Sequence, residues 1–145
     1  MRALLPIVAI ALALCGPPAR ALEFRSVGDA PAPLYDGPSL KTKRTHVVSR
    51  TTPVEVISSM EGWVKVREPG GQLGWVEAGA LVAQRHVVVT AAATVRAEPV
   101  DTGVAVFEAR PGLILEFVDS DGLWARVRHR DGLAGYVRAQ QVWGL

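Results

Sequence analysis

Cysteine is almost missing from this chain of 145 residues: Cys15 is its single example, and it lies in the N-terminal segment. Past residue 21 no disulfide, thiolate nucleophile or cysteine-held metal is therefore available. Histidine is scarce as well. His46, His86 and His129 are the three, and none pairs with another at metal-ligand spacing, so each reads as a solvated or packed ring. Ser58, Ser59 and Ser120 have no histidine and aspartate partners in any motif, and the scattered carboxylates signal no glycosidase pair. No catalytic residue, metal site or cofactor is expected. Aromatic residues make up only 6% of the chain, so the position of each one carries information.

Long apolar runs are confined to the start. Met1 and Arg2 form a short basic head, Ala3 to Leu14 is apolar except for Pro6, and Gly16-Pro17-Pro18 breaks any helix. Ala19-Arg20-Ala21 then presents small residues at the two positions a signal peptidase reads. This is the order of a secretory leader, and the run is too short to span a bilayer. Residues 1–21 are read as a signal peptide, cleavage is expected after Ala21, and the mature protein is expected in the periplasm or outside the cell, with no stable membrane insertion. Cys15 offers a lipidated alternative, but Leu14 stands where a lipobox has a small residue. Losing Arg2 and Arg20 leaves 14 basic against 14 acidic residues. A chain of zero formal charge has no net positive field to recruit nucleic acid. The small cluster Lys41, Lys43 and Arg44 reads as a solvated loop.

Sliding the chain along itself by 61 positions superposes Pro38 on Pro99, Glu55 on Glu116, Trp63 on Trp124, Val66-Arg67 on Val127-Arg128, Gly71 on Gly132 and Gly74 on Gly135. Trp75 falls on Tyr136 and Lys65 on Arg126. The register holds without a gap from Leu34/Val95 to Gln84/Leu145, which marks a tandem duplication. Each copy carries strand signals and no helix signal. Val54 to Ser58 is rich in β-branched residues, Trp63-Val64-Lys65-Val66-Arg67 alternates with period two, Pro69-Gly70-Gly71 is a turn, and Gly74-Trp75-Val76 begins a return strand. The second copy repeats this from Leu113 to Asp119, Trp124 to Arg128 and Gly135 to Val137. Leu34 and Val95 mark first strands, followed by polar excursions at Lys41 to Arg50 and Asp101 to Arg110. His86 to Thr90 reads as extended. The spacing predicts an all-β protein of two tandem small barrels, residues 32–84 and 93–145, with no helix beyond a turn at Ala78-Gly79-Ala80 and its counterpart. Modules of roughly 60 residues bury only about 60% of their surface, so the copies are expected to pack together.

Three elements occur in order in each copy: Tyr35-Asp36-Gly37-Pro38, echoed by Arg96-Ala97-Glu98-Pro99; Gly62-Trp63-Val64-Lys65-Val66-Arg67, with Gly122-Leu123-Trp124-Ala125-Arg126-Val127 as its counterpart; and Gly74-Trp75-Val76 beside Gly135-Tyr136-Val137. In this order they resemble the bacterial SH3-like domain family of exported proteins, over about Ala32 to Leu145. The resemblance implies five-stranded, partly open barrels that bind rather than catalyse. Family members often bind peptidoglycan or peptide stems and are commonly fused to cell-wall hydrolases.

Period two points Val64, Val66 and Val76 into the core and sends Trp63, Lys65 and Trp75 to the opposite face. The rings of Trp63 and Trp75 are expected to meet across the hairpin, with Tyr35 joining them. Exposed rings beside a lysine suit a sugar or an extended peptide. Trp124 and Tyr136 are the counterparts in copy two, and Trp143 reads as structural. Gly74 and Gly135 are read as points of close backbone approach. The expected function is an exported binding module for peptidoglycan or an envelope peptide. The alternative is a structural protein whose aromatic faces are covered by an envelope protein or by each other.

Overall fold

The computed structural model describes Gly16 and residues 20–145. The basic head, the apolar run and Cys15, on which the leader and the lipidation alternative rest, lie outside the described residues. Among the described residues no helix is long and apolar enough to cross a membrane.

The chain is all-β. In the first half, β1 (Phe24–Val27), β2 (Ala32–Tyr35), β3 (Arg44–Val48), β4 (Pro53–Met60), β5 (Trp63–Arg67), β6 (Leu73–Glu77) and β7 (Leu81–Val82) form one antiparallel sheet. Its order is β3-β2-β6-β5-β4-β1-β7. The second half repeats it with β8 (His86–Val89), β9 (Ala93–Arg96), β10 (Ala105–Ala109), β11 (Ile114–Ser120), β12 (Trp124–Arg128), β13 (Ala134–Arg138) and β14 (Val142–Trp143). That order is β10-β9-β13-β12-β11-β8-β14. Single 3-10 turns at Ala78–Ala80 and Ala139–Gln141 lead into the last strand of each sheet, at the expected places. The pairings leave β3 and β7, and likewise β10 and β14, at the ends of their sheets.

Each sheet has seven strands where the resemblance implied five. Of the additional strands, β1 lies ahead of the expected start at residue 32, β8 is the extended run expected at His86 to Thr90, and β3 and β10 lie inside the polar excursions. β3 and β10 are edge strands with one partner each; Arg44, Thr45 and His46 give β3 a polar look, whereas β10 is apolar except for Glu108 and lies inside the stretch read as a polar excursion. β1 and β8 escaped the self-comparison for a simple reason. Phe24 pairs with Glu55 while His86 pairs with Glu116, so these strands correspond at an offset of 62, not 61. The loop before the next strand has four residues in copy one and three in copy two, and that single deletion breaks the register.

Alternation builds the two cores. Val64, Val66 and Val76 are buried with Val27, Leu34 and Val54 in the first half. Val127 and Val137 are buried with Val87, Val89, Val95 and Leu115 in the second. Fully burying one such side chain contributes about 1.5–3 kcal/mol. A bulge lies between Val56 and Ser58 and recurs between Phe117 and Asp119, bending the long strand at the same point in both copies.

The close approach expected at the return strands is present. A Cβ on Gly135 would stand 2.5 Å from the carbonyl oxygen of Arg96 and 2.8 Å from Cγ1 of Val95. At Gly74 the nearest atom is Cδ1 of Leu34 at 3.0 Å, and a side chain yields more readily than backbone.

The copies do pack together. The Phe24 ring meets that of Trp143 edge-on, centroids 5.0 Å apart. The Arg85 guanidinium lies 5.7 Å from the Phe24 ring and 4.8 Å from that of Phe117, and Nη2 donates to the Gly144 carbonyl at 2.5 Å. His86 Nδ1 sits 3.0 Å from the hydroxyl of Ser26, which is fully buried. Trp143 is thus structural, as its position near the chain end suggested.

Two outcomes follow from this packing. Gly135→Ala is expected to lower the unfolding free energy in urea by about 1–3 kcal/mol through forced backbone displacement. Gly79→Ala, where nothing lies within 4 Å of the added Cβ, is expected to change it by less than about 1 kcal/mol. The second outcome concerns pH. Burial holds His86 below the ordinary histidine value, against the opposing pull of Glu116, the Gln84 backbone and Asp29. A histidine depressed in the fold adds stability above its unfolded pKa of about 6.5 and loses it as pH falls through the folded value. Urea midpoints are expected to drop between about pH 7.5 and about pH 5, and His86→Gln is expected to flatten that drop.

Candidate functional site

The outer face of β2, β6 and β5 is where the alternation places the aromatic side chains. Tyr35 on β2 pairs with Trp75 on β6, and Trp75 pairs with Lys65 on β5. The Lys65 ammonium stands 6.0 Å from the Trp75 ring. Trp63, at the start of β5, pairs with Glu77 and lies diagonal to Trp75. Its ring packs edge-on against Tyr35, centroids 5.4 Å apart. The expected meeting of the two tryptophan rings is replaced by this contact, which joins β5 to β2 across the intervening β6.

Tyr35 is only 4% exposed, so it is the floor of this face and not an open wall. The Arg44 guanidinium lies 5.8 Å from its ring, and Arg44 Nη2 reaches its hydroxyl at 3.5 Å. Trp63, Lys65 and Trp75 remain half-buried above it. None of these groups is among the ring, cation–π and hydrogen-bond contacts described above between the copies. The face therefore offers two half-buried tryptophan surfaces, with Lys65 beside Trp75 and Arg44 beside the Tyr35 floor, which suits stacking and cation–π contact with an extended ligand.

Copy two has the same strands but a different surface. Arg96 replaces Tyr35 and donates to the Gly103 carbonyl at 2.8 Å. Trp124, in the place of Trp63, is only 7% exposed, with the Arg138 guanidinium 4.5 Å from its ring. Asp101 grips that guanidinium through two hydrogen bonds, the Nε one at 3.1 Å. The hydrogen bond from Arg138 holds the Asp101 carboxyl below its ordinary value. Tyr136 is half-buried and pairs with Arg126 and Arg96. Glu77 and the exposed Leu40 occupy the Arg138 and Asp101 positions in copy one, so Trp63 has no such cover.

A second concavity, of about 580 Å³, lies at the junction of the copies. Sequence reasoning did not find it, because its residues come from both halves, from loops and from β8, β11 and β12. The basic and acidic residues there carry no periodic signal. Among the described residues no cluster of three or more histidine, aspartate or glutamate side chains could hold a metal ion.

A model of the bacterial SH3 domain matches the chain twice, over residues 28–82 and 89–144. Solved structures similar to it include NlpC2 from Trichomonas vaginalis, at 14% identity and a TM-score of 0.40, with 86% of this chain and 49% of that one covered. NlpC1 from the same organism shows 16% identity and a TM-score of 0.40, with 94% and 50% covered. An NlpC/P60 family protein from Bacillus cereus shows 16% identity and a TM-score of 0.40, with 83% and 56% covered. The chain spans about half the length of these structures. No curated protein is significantly similar to it.

The cover over Trp124 is directly testable. Asp101→Asn releases Arg138 from its carboxylate, so hydrogen exchange at the Trp124 indole, followed by NMR, is expected to quicken by at least about threefold. The Trp63 and Trp75 indoles are expected to stay unchanged. An unaltered Trp124 signal means that the arginine stays in place without its carboxylate.

Proposed function

This chain belongs to the bacterial SH3 domain family, whose domains are binding modules, and we propose that its first copy does the binding. The ligand we propose is an extended peptide of the cell envelope, with the peptide stems of peptidoglycan as the foremost source. It lies across Trp63 and Trp75, beside Lys65 and Arg44. The protein acts as an exported, non-catalytic module in the periplasm or outside the cell. The order of basic head, apolar run and small residues before Leu22 supports export. We also infer that each sheet curls round its own core into the small barrel of the family, with the repeated bulges supplying the bend.

One observation carries the reading. Copy one leaves its aromatic pair half-exposed, while copy two covers the equivalent tryptophan with Arg138. A duplication that kept both strands but closed one face leaves the other to meet a ligand.

The test is retention of the purified protein on isolated peptidoglycan, beside recovery of proteins from an envelope lysate. Trp63→Ala and Trp75→Ala are each expected to weaken retention by about tenfold or more, as anchor aromatics do. Loss of the Tyr35 contact is expected to cost Trp63→Ala only about 1 kcal/mol of stability. Trp124→Ala, which removes a buried ring, is expected to cost about 3 kcal/mol or more. Retention that both copy-one variants leave intact rules out this face. No retention, with one envelope protein recovered instead, moves the function to protein assembly.

A further inference from the structure

The cleft at the module junction is made by neither copy alone. Copy one supplies Asp29 from the β1–β2 loop and Ser49 to Thr51 from the β3–β4 loop. Copy two supplies His86, the turn from Gly112 to Ile114, Glu116 and Arg128 to Arg130. At about 580 Å³ it falls within the range of pockets that enclose small ligands.

Its charges sort into paired and free groups. Arg128 pairs with Glu116 at 3.6 Å, and His129 with Asp131 at 2.8 Å. Arg50 and Arg130 are exposed and form no ion pair among the described residues, and the same holds for Asp29. Burial holds the His86 pKa below its ordinary value, which disfavours a positive charge there. The free charge in the cleft is therefore two guanidiniums against one carboxylate. That balance suits a monoanion. A phosphate dianion keeps an unmatched negative charge beside Asp29.

The backbones that carry the two arginines are pinned. The Thr51 N–H donates to the carbonyls of Val27 and Gly28 at 3.1 and 3.2 Å, and its hydroxyl donates to the Arg50 carbonyl at 2.7 Å. Thr51 holds a left-handed φ of 61°, where copy two has Gly112, so these bonds maintain a conformation that a β-branched residue otherwise avoids. Arg130 sits in a turn closed by the Gly132 N–H to the His129 carbonyl at 2.9 Å and the His129 N–H to the Leu133 carbonyl at 2.7 Å. Only the arginine side chains remain to be ordered by a ligand, which lowers the entropic cost of binding.

We propose that this cleft is a second binding site, separate from the Trp63 face, which takes the terminal carboxylate of a short peptide between Arg50 and Arg130. Guanidinium forks match a carboxylate with paired, charge-assisted hydrogen bonds. Because one arginine comes from each copy, the bound carboxylate also ties the copies together, and occupancy raises the unfolding midpoint.

The probe is acetylated trialanine with a free carboxylate, titrated into the purified protein and followed by amide NMR shifts. Its C-terminal amide and inorganic phosphate serve as comparisons. The acid is expected to bind, and the amide and phosphate at least about tenfold more weakly. Arg50→Gln and Arg130→Gln are each expected to lose about tenfold in affinity, while Trp63→Ala leaves it unchanged. Both arginines are exposed, so these variants are expected to fold, and their unfolding midpoints without ligand check it. Equal binding of acid and amide overturns the proposal. So does stronger binding of phosphate, loss of the acid with Trp63→Ala but not with the arginine variants, or no shift at about 10 mM acid.

Discussion

The inward valines of β5 and β6 decide what the rest of those strands can present. Val64, Val66 and Val76 fill the core of copy one, and a strand's side chains alternate between faces without exception in an unbulged stretch. Trp63, Lys65 and Trp75 are thereby committed to the other face. A one-residue slip would bury the lysine and both tryptophans while exposing three valines, so hydrophobic burial sets the register and the register sets the site. Gly74 and Gly135 belong to the same constraint. They let the return strand lie against its neighbour so closely that Tyr35 and Trp75 become partners in copy one.

With the backbone shared, the copies differ through a few side chains. Arg138 in place of Glu77 puts a guanidinium over a tryptophan, and Asp101 in place of Leu40 holds it there. Arg96 in place of Tyr35 removes the ring against which Trp63 packs in copy one. Either an acid or an aliphatic residue in those positions leaves the ring without a cation. One face of the duplication is thus closed by its own charges and the other is left open at modest structural cost.

Small modules without a disulfide need another source of stability, and the junction supplies it. Phe24 from one copy and Trp143 from the other meet edge-on, Arg85 bridges Phe24 and Phe117, and Ser26 meets His86. The junction also carries a cost. Arg85 Nε is buried without a partner among the described residues, and desolvation draws the Arg85 pKa down from its ordinary value. The packing that joins the copies creates the cleft between their loops, so the stability of the junction and the shape of that cleft are one structural fact.

The all-β class, the duplication, the inward valines, the two tight glycines and the outward placement of Trp63 and Trp75 are all written in local patterns. Period two, turn residues and a constant offset are properties of neighbours along the chain, and they survive without knowledge of the fold. β1 was obscured because a one-residue deletion broke the offset, whereas β8 was legible as the extended run His86 to Thr90; β3 and β10 lie inside the stretches read as polar excursions, and only β3 carries mainly polar side chains. What the chain order leaves open is which ring meets which. Trp63 on Tyr35, Trp124 under Arg138 and Phe24 on Trp143 join residues 28, 14 and 119 positions apart, and the junction cleft joins loops from both halves. Those contacts depend on the distance between strands and the shape of side chains brought together, which only the tertiary structure decides.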